Sequence, residues 1–381
     1  MTEWILSLHD AISGIPASDW DACAGQDNPF VSHAFLSALE DSGSAGPRTG
    51  WLPRHMCLSD GTGKIYAVAA AWLKSHSFGE YVFDHGWARA FEQAGGQYYP
   101  KLQIAIPFSP VPGPRLLIHP DAPAGARDAL IQAISQYMEE MNLSSAHVTF
   151  CTEQDQSALH RAEWLERLGI QYHWSNHHFR TFDDFLETLS SRKRKSIRRE
   201  RKAALESGLE FRTLCGADIT EAHWDAFFGF YHATVDRKWG QAYLTRRFFS
   251  LLGAYLEKNV VLMMAFHNGR PVAGALNLAG TDTLYGRNWG CSEEHPFLHF
   301  ELCYYRAIDF AIEHGLSRVE AGAQGEHKIQ RGYLPVLTRS AHLIAHPGLR
   351  DAVSGFLDQE RAAILEEAEA LLAFSPFRKD G

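Results

Sequence analysis

The sequence feature that most constrains the fold is a pattern of three short strands that occurs twice along the chain. The pattern lies within residues 55–84 and again within residues 260–290, each time with a glycine turn between the first two strands. The second and third strands of each copy are predicted at residues 65–73 and 80–84, and at 271–278 and 283–289. In both copies a Gly-basic pair, Gly63-Lys64 or Gly269-Arg270, leads into a strand of small residues. The sequence therefore predicts an internal duplication.

Each copy continues with a helix and a further strand, so the chain is predicted to contain two similar α+β units. The helices are predicted at residues 87–94 and 299–314, the second closed by a glycine, and the strands at 146–151 and 318–323. A Pro-rich segment, residues 107–114, is predicted to be a loop. We expect a first domain at 1–180, a second at 181–346 opened by a basic helix, and a C-terminal helix within 347–381 that packs back.

The composition excludes a disordered, fibrous or membrane-spanning chain. With 381 residues, 45% of them hydrophobic, the chain can bury the cores of about two domains. The longest strongly apolar run, residues 260–266, is too short to cross a bilayer, and the N-terminus has no signal pattern. The net charge of -9 argues against general coating of nucleic acid. We therefore expect a soluble cytoplasmic protein with six reduced cysteines and no membrane span.

One segment is strongly basic, although the net charge of the whole chain is negative. Residues 192–202 contain eight Lys or Arg residues and a single acid, Glu200. They are part of one long basic helix that is predicted over residues 182–207. On a helical wheel, Arg194, Arg198 and Arg201 lie opposite an apolar stripe, on which Glu200 interrupts the pattern. Because arginine forks match phosphate groups, a phosphate site is one interpretation of this face, and a solvated helix surface is the other.

The motif Arg194-x-x-Ile197-Arg198, followed by Gly208 and a strand, resembles the interdomain helix of FemAB-type transferases. Further segments resemble the FemAB-like branch of the GNAT acyltransferase superfamily, often labelled peptidoglycan biosynthesis/recognition proteins. These segments are residues 78–84, 98–102, 107–115, 284–290, 299–305 and 320–333. The resemblance extends over nearly the whole chain.

The resemblance implies two tandem GNAT-like (acyl-CoA N-acyltransferase) domains that face each other, followed by a C-terminal helix. It also implies transfer of an acyl or aminoacyl group to an amine in the groove between the domains. In Fem enzymes the donor is aminoacyl-tRNA and the acceptor is a peptidoglycan precursor with a pyrophosphate. For this chain we expect a small-molecule or peptide acceptor and either aminoacyl-tRNA or acyl-CoA as donor, with no certain bound cofactor.

Four residues are candidates for catalysis. Glu320 in a predicted strand and Glu301 in a predicted helix are alternative proton acceptors. Glu320 is flanked by small apolar residues, and it is either the partner of an arginine or a base with a raised pKa. The resemblance places Lys328 at the family's lysine near the active site, where it would stabilise an oxyanion or a phosphate. Arg287 is the fourth candidate, because a cation within an aromatic strand needs an anionic partner.

Other polar and aromatic side chains are candidates for substrate binding. Gln324 shares a strand face with Glu320, and His327 and Arg331 lie four residues apart on a predicted helix face. The remaining candidates are Lys238, Tyr285 and Trp289 and, expected to line the groove from the first domain, Lys74, Glu80 and Arg115. Lys101 is a further candidate because, like Arg287, it is a cation within an aromatic strand and is expected to need an anionic partner.

The composition of the turn at residues 290–298 indicates which kind of acyl donor the chain uses. GNAT enzymes that use CoA bind its pyrophosphate on glycine N–H groups at this turn, which here has one glycine, two acids and a proline. This composition favours a tRNA-borne or other donor. CoA-dependent N-acetylation and non-catalytic recognition of a phosphate-bearing ligand are the alternative hypotheses. The sequence has neither a catalytic Ser-His-Asp or Cys-His arrangement nor metal-ligand spacing, so we expect direct attack by the amine and no metal.

Overall fold

The chain folds into two compact units, each built from both helices and strands. The computed structural model describes residues 3–237, 242–322 and 325–378. Unit 1 consists of Met1–Gly169 and Thr338–Leu365, and unit 2 of Ile170–Leu337 and Glu366–Gly381. The α+β class predicted from the sequence is confirmed.

The helices are numbered in chain order. Helices α1 to α12 are Ala17–Ala24, His33–Asp41, His85–Gln93, Ala126–Glu140, Glu153–Arg161, Phe182–Thr188, Ser191–Leu205, Glu221–Arg237, Arg246–Tyr255, Leu298–Phe300, Arg306–Glu313 and Pro347–Leu372. Short 3₁₀ turns are found at Ile12–Gly14, Pro29–Val31, Pro47–Thr49, Gly216–Asp218 and Glu326–Arg331. A π-helical turn, Glu301–Tyr305, joins α10 to α11. Such turns are rare in helices and are frequently found at functional sites.

The strands are numbered in the same way. Strands β1 to β15 are Ile5–His9, Trp51–Pro53, His55–Ser59, Ile65–Ala69, Ala71–Lys74, Lys101–Ile104, Leu117–Ile118, Ser145–Cys151, Leu165–Ser175, Glu210–Cys215, Val260–His267, Arg270–Ala279, Thr283–Cys291, Arg318–Glu320 and Leu334–Ile344. In unit 1, one sheet has the order β1-β3-β4-β7, and a second group of strands has the order β15-β8-β6-β5-β2. In unit 2 the order is β10-β11-β12-β13-β14-β9.

The central strands of unit 2 are covered on both faces, which explains their composition. All residues of β11 from Val260 to Phe266 are buried, and this run has no polar alternation. Helix α8 packs on β12 and β13, while the π-helical turn contacts β11 and β12. Gly290 permits the close approach of α8, because a Cβ atom there would lie 2.2 Å from the carbonyl oxygen of Phe230.

Two predictions for the first strand pattern are wrong. Residues 65–73 form two strands, β4 and β5, which lie in different strand groups of unit 1. Residues 80–84 are a loop, because the chain takes left-handed conformations at Gly79 (φ 80°) and Tyr81 (φ 60°). The carboxylates of this loop turn inward and bind Lys101 in the interior of unit 1. The second pattern forms as predicted, with β12 and β13 on either side of a turn.

The predicted basic helix is interrupted. Leu189 adopts an extended conformation, so α6 ends before it and α7 begins at Ser191. The C-terminal helix is confirmed as α12, and residues 107–114 form a loop as predicted. Within the described ranges, none of the helices has the length and apolar character needed to cross a membrane.

Candidate active site

In unit 2, the parallel strands β13 and β14 separate part-way along β13. They are paired up to Tyr285 and Glu320, where β14 ends. β13 continues to Cys291, paired with β12. A register shift in the pairing of β12 with β13 makes Arg287 an extra residue on β13, and such bulges re-aim side chains. The pairing of the two strands therefore ends at Tyr285 and Glu320, both of which were predicted site residues.

Lys328, in the 3₁₀ turn Glu326–Arg331, extends its side chain to the end of β14. Its ammonium group donates hydrogen bonds to the carbonyl oxygens of Ala321 and, at 3.3 Å, of Gly322. The side chain is buried, with its Nζ atom 5.8 Å from the ring centre of Tyr172. Because the two carbonyls hold the ammonium group in place, its charge is fixed beside the point where the strands part.

Arg318 and His173 are ionisable neighbours of Glu320. Its Oε1 atom is 3.3 Å from Nε of Arg318 and 3.9 Å from Nδ1 of His173 on β9. Burial, together with the charges of Arg318 and Lys328, lowers the pKa of His173 to about 3, so this imidazole is neutral at physiological pH. Glu320 thus has both an arginine partner and a neutral base within reach.

His173 was not predicted from the sequence. The register of β9 with β14 sets it directly opposite Glu320. The signal available was a histidine between two aromatic residues, Tyr172 and Trp174, in a segment of strand composition. Its partner could not be identified, because the pairing joins segments that are more than a hundred residues apart.

Glu301, the second candidate base, is part of a buried ion-pair network. Its two carboxylate oxygens accept hydrogen bonds from Arg201 at 3.1 and 3.2 Å, and Nε of Arg306 lies 3.5 Å away. Arg201 also donates to Asp309 at 2.6 Å. The Glu301 side chain has no exposed surface. This carboxylate therefore holds helix α7 to the π-helical turn and α11, and Arg201 is engaged in the same network.

Helix α7 also makes a second buried ion pair, through Glu200. Glu200 accepts hydrogen bonds from Arg331, at 2.7 Å, and from the hydroxyl group of Tyr305. This explains the acid that interrupts the apolar stripe of the basic helix. The prediction that His327 and Arg331 share a helix face is wrong, because Glu326–Arg331 is a 3₁₀ turn. Arg331 points to Glu200, whereas His327 contacts Tyr304, with 3.0 Å between Nε2 and the hydroxyl oxygen.

Helix α7 also carries cations in solvent. Arg198 is exposed and pairs with Asp183 at 2.8 Å, and Arg194 is half-buried. Three exposed basic residues of α7, called here the exposed basic face, are Arg192, Lys195 and Arg199. Of the three arginines predicted to bind phosphate, Arg201 is thus bound within the protein, while Arg194 and Arg198 lie at least partly in solvent.

A group of aromatic and histidine side chains packs together in unit 2. The ring of Trp289 on β13 lies 5.0 Å from that of His299, and His299 lies 5.3 Å from Tyr304 and 6.0 Å from His327. These side chains place flat apolar surfaces and ring nitrogens together within the same unit as Lys328. The predicted site residues Lys238 and Gln324 lie outside the described residues.

The unit 1 candidates form a buried network. Lys101 donates hydrogen bonds to Glu80 at 2.7 Å and to Asp84, and Lys74 lies 4.0 Å from Glu80. Burial lowers the pKa of Lys74 to about 7 and raises that of Glu80 to about 7. The expectation that Lys101 needs an anionic partner is confirmed.

Arg115 is held mainly by backbone carbonyl groups. Its guanidinium group donates to the carbonyl oxygens of Thr149 at 2.9 Å, Pro114 at 3.1 Å and Val111 at 2.5 Å. The side chain is 2% exposed, as expected for a group that organises loops from within. Lys74, Glu80 and Lys101 are likewise buried in unit 1, so direct contact of any of these four side chains with a ligand would require a rearrangement.

Comparison with known proteins defines the family. The family model described as peptidoglycan biosynthesis/recognition, FemAB-like, matches residues 11–379. The chain belongs to the FemAB-like family. No curated protein matches the chain.

Solved structures show the fold of this FemAB-like protein. FemX superposes with a TM-score of 0.57 at 11% identity, covering 92% of this chain and 100% of that chain. The C-terminal domain of a putative lysylphosphatidylglycerol synthetase from Agrobacterium fabrum gives 0.55 at 9% identity, covering 91% and 95%. A tandem GNAT protein from the clavulanic acid biosynthesis pathway gives 0.50 at 12% identity, covering 91% and 99%. The predicted tandem GNAT-like architecture and the FemAB-like resemblance are confirmed.

Proposed function

We propose that this protein transfers an acyl or aminoacyl group to an amine, with the chemistry at the divergence of β13 and β14 in unit 2. The observation that carries the proposal is the ammonium group of Lys328, held by the carbonyl oxygens of Ala321 and Gly322 immediately after Glu320, where β14 ends. Membership of the FemAB-like family supports acyl or aminoacyl transfer as the general class of reaction.

In the proposed reaction the acceptor amine attacks the acyl carbonyl carbon of the donor. Lys328 stabilises the oxyanion that forms, because its charge is already oriented and needs no reorganisation. The proton leaving the amine passes to the carboxylate of Glu320. The imidazole of His173, 3.9 Å from Glu320, has too low a pKa to hold this proton at physiological pH and is proposed to orient the carboxylate. The tetrahedral intermediate then collapses, and the bond between the acyl carbon and the donor's leaving group breaks. Arg287, Tyr285 and Trp289 are proposed to position the two substrates along β13.

We propose aminoacyl-tRNA as the donor and acyl-CoA as the alternative. The exposed basic face of α7 supports a donor with a phosphate backbone. The turn after β13 carries Glu293 and Glu294, and the nearest glycine, Gly290, lies within β13, which disfavours a pyrophosphate on backbone N–H groups of this turn. The proposed acceptor is a small molecule or peptide with a free amine, such as a peptidoglycan precursor.

The test is a transfer assay with the full chain. Radiolabelled aminoacyl-tRNA and acetyl-CoA are offered separately with a panel of amine acceptors that includes peptidoglycan precursors. Lys328→Met should lower kcat about 10²- to 10³-fold, as loss of one oxyanion donor does. The matched control is Lys64→Met, because Lys64 is an exposed lysine of unit 1 and should be dispensable.

Two results would overturn the assignment. The first is unchanged transfer by Lys328→Met, which would place the chemistry elsewhere. The second is turnover in which Glu320→Gln leaves the pH profile of kcat unaltered, because Glu320 then could not be the group that accepts the amine proton. Circular dichroism and the Tm of each variant separate loss of chemistry from loss of the fold.

A further inference from the structure

Three side chains with metal-ligating atoms converge in unit 2 on the turn that follows β13. His267 ends β11, and Glu293 and His295 lie just beyond the end of β13. Oε2 of Glu293 is 2.9 Å from Nδ1 of His267 and 3.0 Å from Nε2 of His295. The three ligating atoms all lie within 4.8 Å of one another. Metal-ligand spacing is not recognisable in the sequence because the third residue comes from a separate strand, 26 positions before Glu293.

Backbone hydrogen bonds hold the strand ends from which the three residues come. Cys291 is still paired with β12 through Ala273, and the amide of Ser292 donates to the carbonyl oxygen of Val272 at 2.8 Å. His267 is paired with Arg270 across the hairpin that joins β11 to β12. The three candidate ligands therefore lie next to hydrogen-bonded strand ends. A metal ion that binds there would not have to organise a long flexible loop.

The geometry suits a small divalent ion. Zinc bonds to histidine nitrogen and carboxylate oxygen are about 2.0–2.2 Å long, so a tetrahedral ion sets its ligand atoms roughly 3.3–3.5 Å apart. The two contacts of Glu293 need to lengthen by only about half an ångström to reach that spacing. The side chains are 38%, 45% and 18% exposed for His267, Glu293 and His295, which leaves room for water as a fourth ligand.

We propose that His267, Glu293 and His295 bind one divalent transition-metal ion, with Zn²⁺ as the best-fitting member of the class. Two imidazoles and one carboxylate are a ligand set that prefers such metals over Mg²⁺ and Ca²⁺, which take oxygen ligands. The bound ion takes the place of the protons that now join the histidines to Glu293. It offsets the negative charge of Glu293 and ties the end of β11 to the turn after β13. The site does not depend on the proposed acyl transfer.

The test uses the full chain, stripped with a chelator and dialysed. Isothermal titration with ZnCl₂ should give one site per chain that is lost in the His267→Ala/His295→Ala double variant. Removing even an outer partner of a metal ligand costs about 10- to 100-fold in affinity, so Glu293→Gln should weaken binding at least tenfold. Co²⁺ added in place of Zn²⁺ should give visible absorption bands of a low-coordinate site.

A matched control separates this site from adventitious binding to surface histidines. His160 forms an exposed pair with Glu166 at 3.7 Å, in unit 1. His160→Ala should bind Zn²⁺ as the unmodified protein does. Equal Zn²⁺ affinity and stoichiometry in the double variant and the unmodified protein would overturn the proposal, as would the absence of saturable binding of Zn²⁺ and Co²⁺ to the unmodified protein. All three residues are at least partly exposed, so the variants should fold, and Glu293→Gln provides an independent measurement if the double variant does not.

Discussion

Replacing Arg201 by methionine should destabilise unit 2, because it removes the main partner of a fully buried carboxylate. Glu301 has no exposed side-chain surface and receives two of its hydrogen bonds from Arg201. After the substitution it retains Arg306, at 3.5 Å. Asp309 also loses Arg201, but its side chain is 29% exposed and can be hydrated. The cost therefore comes mainly from Glu301.

The magnitude follows from the burial of the pair. Removing one partner of a buried ion pair typically costs about 3–5 kcal/mol, and the remaining contact with Arg306 reduces this to about 2–4 kcal/mol. For a cooperative unit of this size, such a loss lowers Tm by about 5–15 °C. Glu301→Gln in the same chain should recover part of the loss, because the carboxylate left without its main partner is then replaced by a neutral amide.

The assay is thermal unfolding of the two single variants and the double variant, followed by calorimetry. Arg198→Met is the control, because Arg198 and Asp183 are both exposed and their pair should contribute less than about 1 kcal/mol. The structural role of Glu301 would be refuted if Arg201→Met left Tm unchanged. It would also be refuted if Glu301→Gln abolished transfer with no loss of stability, which is the behaviour of a catalytic base.

Three further outcomes are expected. The pKa of Glu80 is raised by burial from 4.5 to about 7, so its stabilising contribution is present at low pH and is lost as the pH rises towards 7. Urea unfolding from pH 4 to 8 should show that Glu80→Gln removes on the order of 1–3 kcal/mol from the pH dependence of the free energy of unfolding. If this pH dependence is the same with and without the substitution, the result would count against a raised pKa. Gly290→Ala should cost about 1–3 kcal/mol by forcing α8 outwards, whereas Gly229→Ala, where a Cβ meets nothing within 4 Å, should be neutral or stabilising. Replacing the exposed basic face of α7 by alanine should reduce the salt slope of tRNA binding by about one for each phosphate that is no longer neutralised, and an unaltered slope would exclude that face as the tRNA-binding surface.

The sequence predicted most of the second unit because its local signals agree with its tertiary structure. Asn268-Gly269 is a strong hairpin signal, and Asn268 (φ 51°) and Gly269 (φ 76°) both adopt the left-handed conformation that this turn requires. Gly315 ends α11 with a positive φ, as expected for the residue after a helix. In these segments the nearest neighbours along the chain determine the conformation.

The first strand pattern was mispredicted for the opposite reason. Residues 80–84 have the aromatic and β-branched composition of a strand, yet two of them are acids that bind Lys101, which lies 21 positions after Glu80. Two charge-assisted hydrogen bonds in the interior of unit 1 outweigh a weak preference for extended backbone. A local pattern cannot predict a conformation that depends on a distant charge.

Distant charges also determine which arginines of helix α7 can meet a ligand. Arg198 and Arg201 lie on the same side of the helical wheel, so the sequence assigns them the same role. The structure separates them, because α11 and the π-helical turn bring Asp309 and Glu301 to Arg201, whereas Arg198 contacts Asp183 in solvent. An arginine that holds two carboxylates can bind a phosphate only by releasing them, which would leave Glu301 buried with a weaker partner. The proposed binding of phosphate by α7 would therefore use the exposed basic face together with Arg194 and Arg198, and the contribution of Arg201 is to hold the helix that presents them.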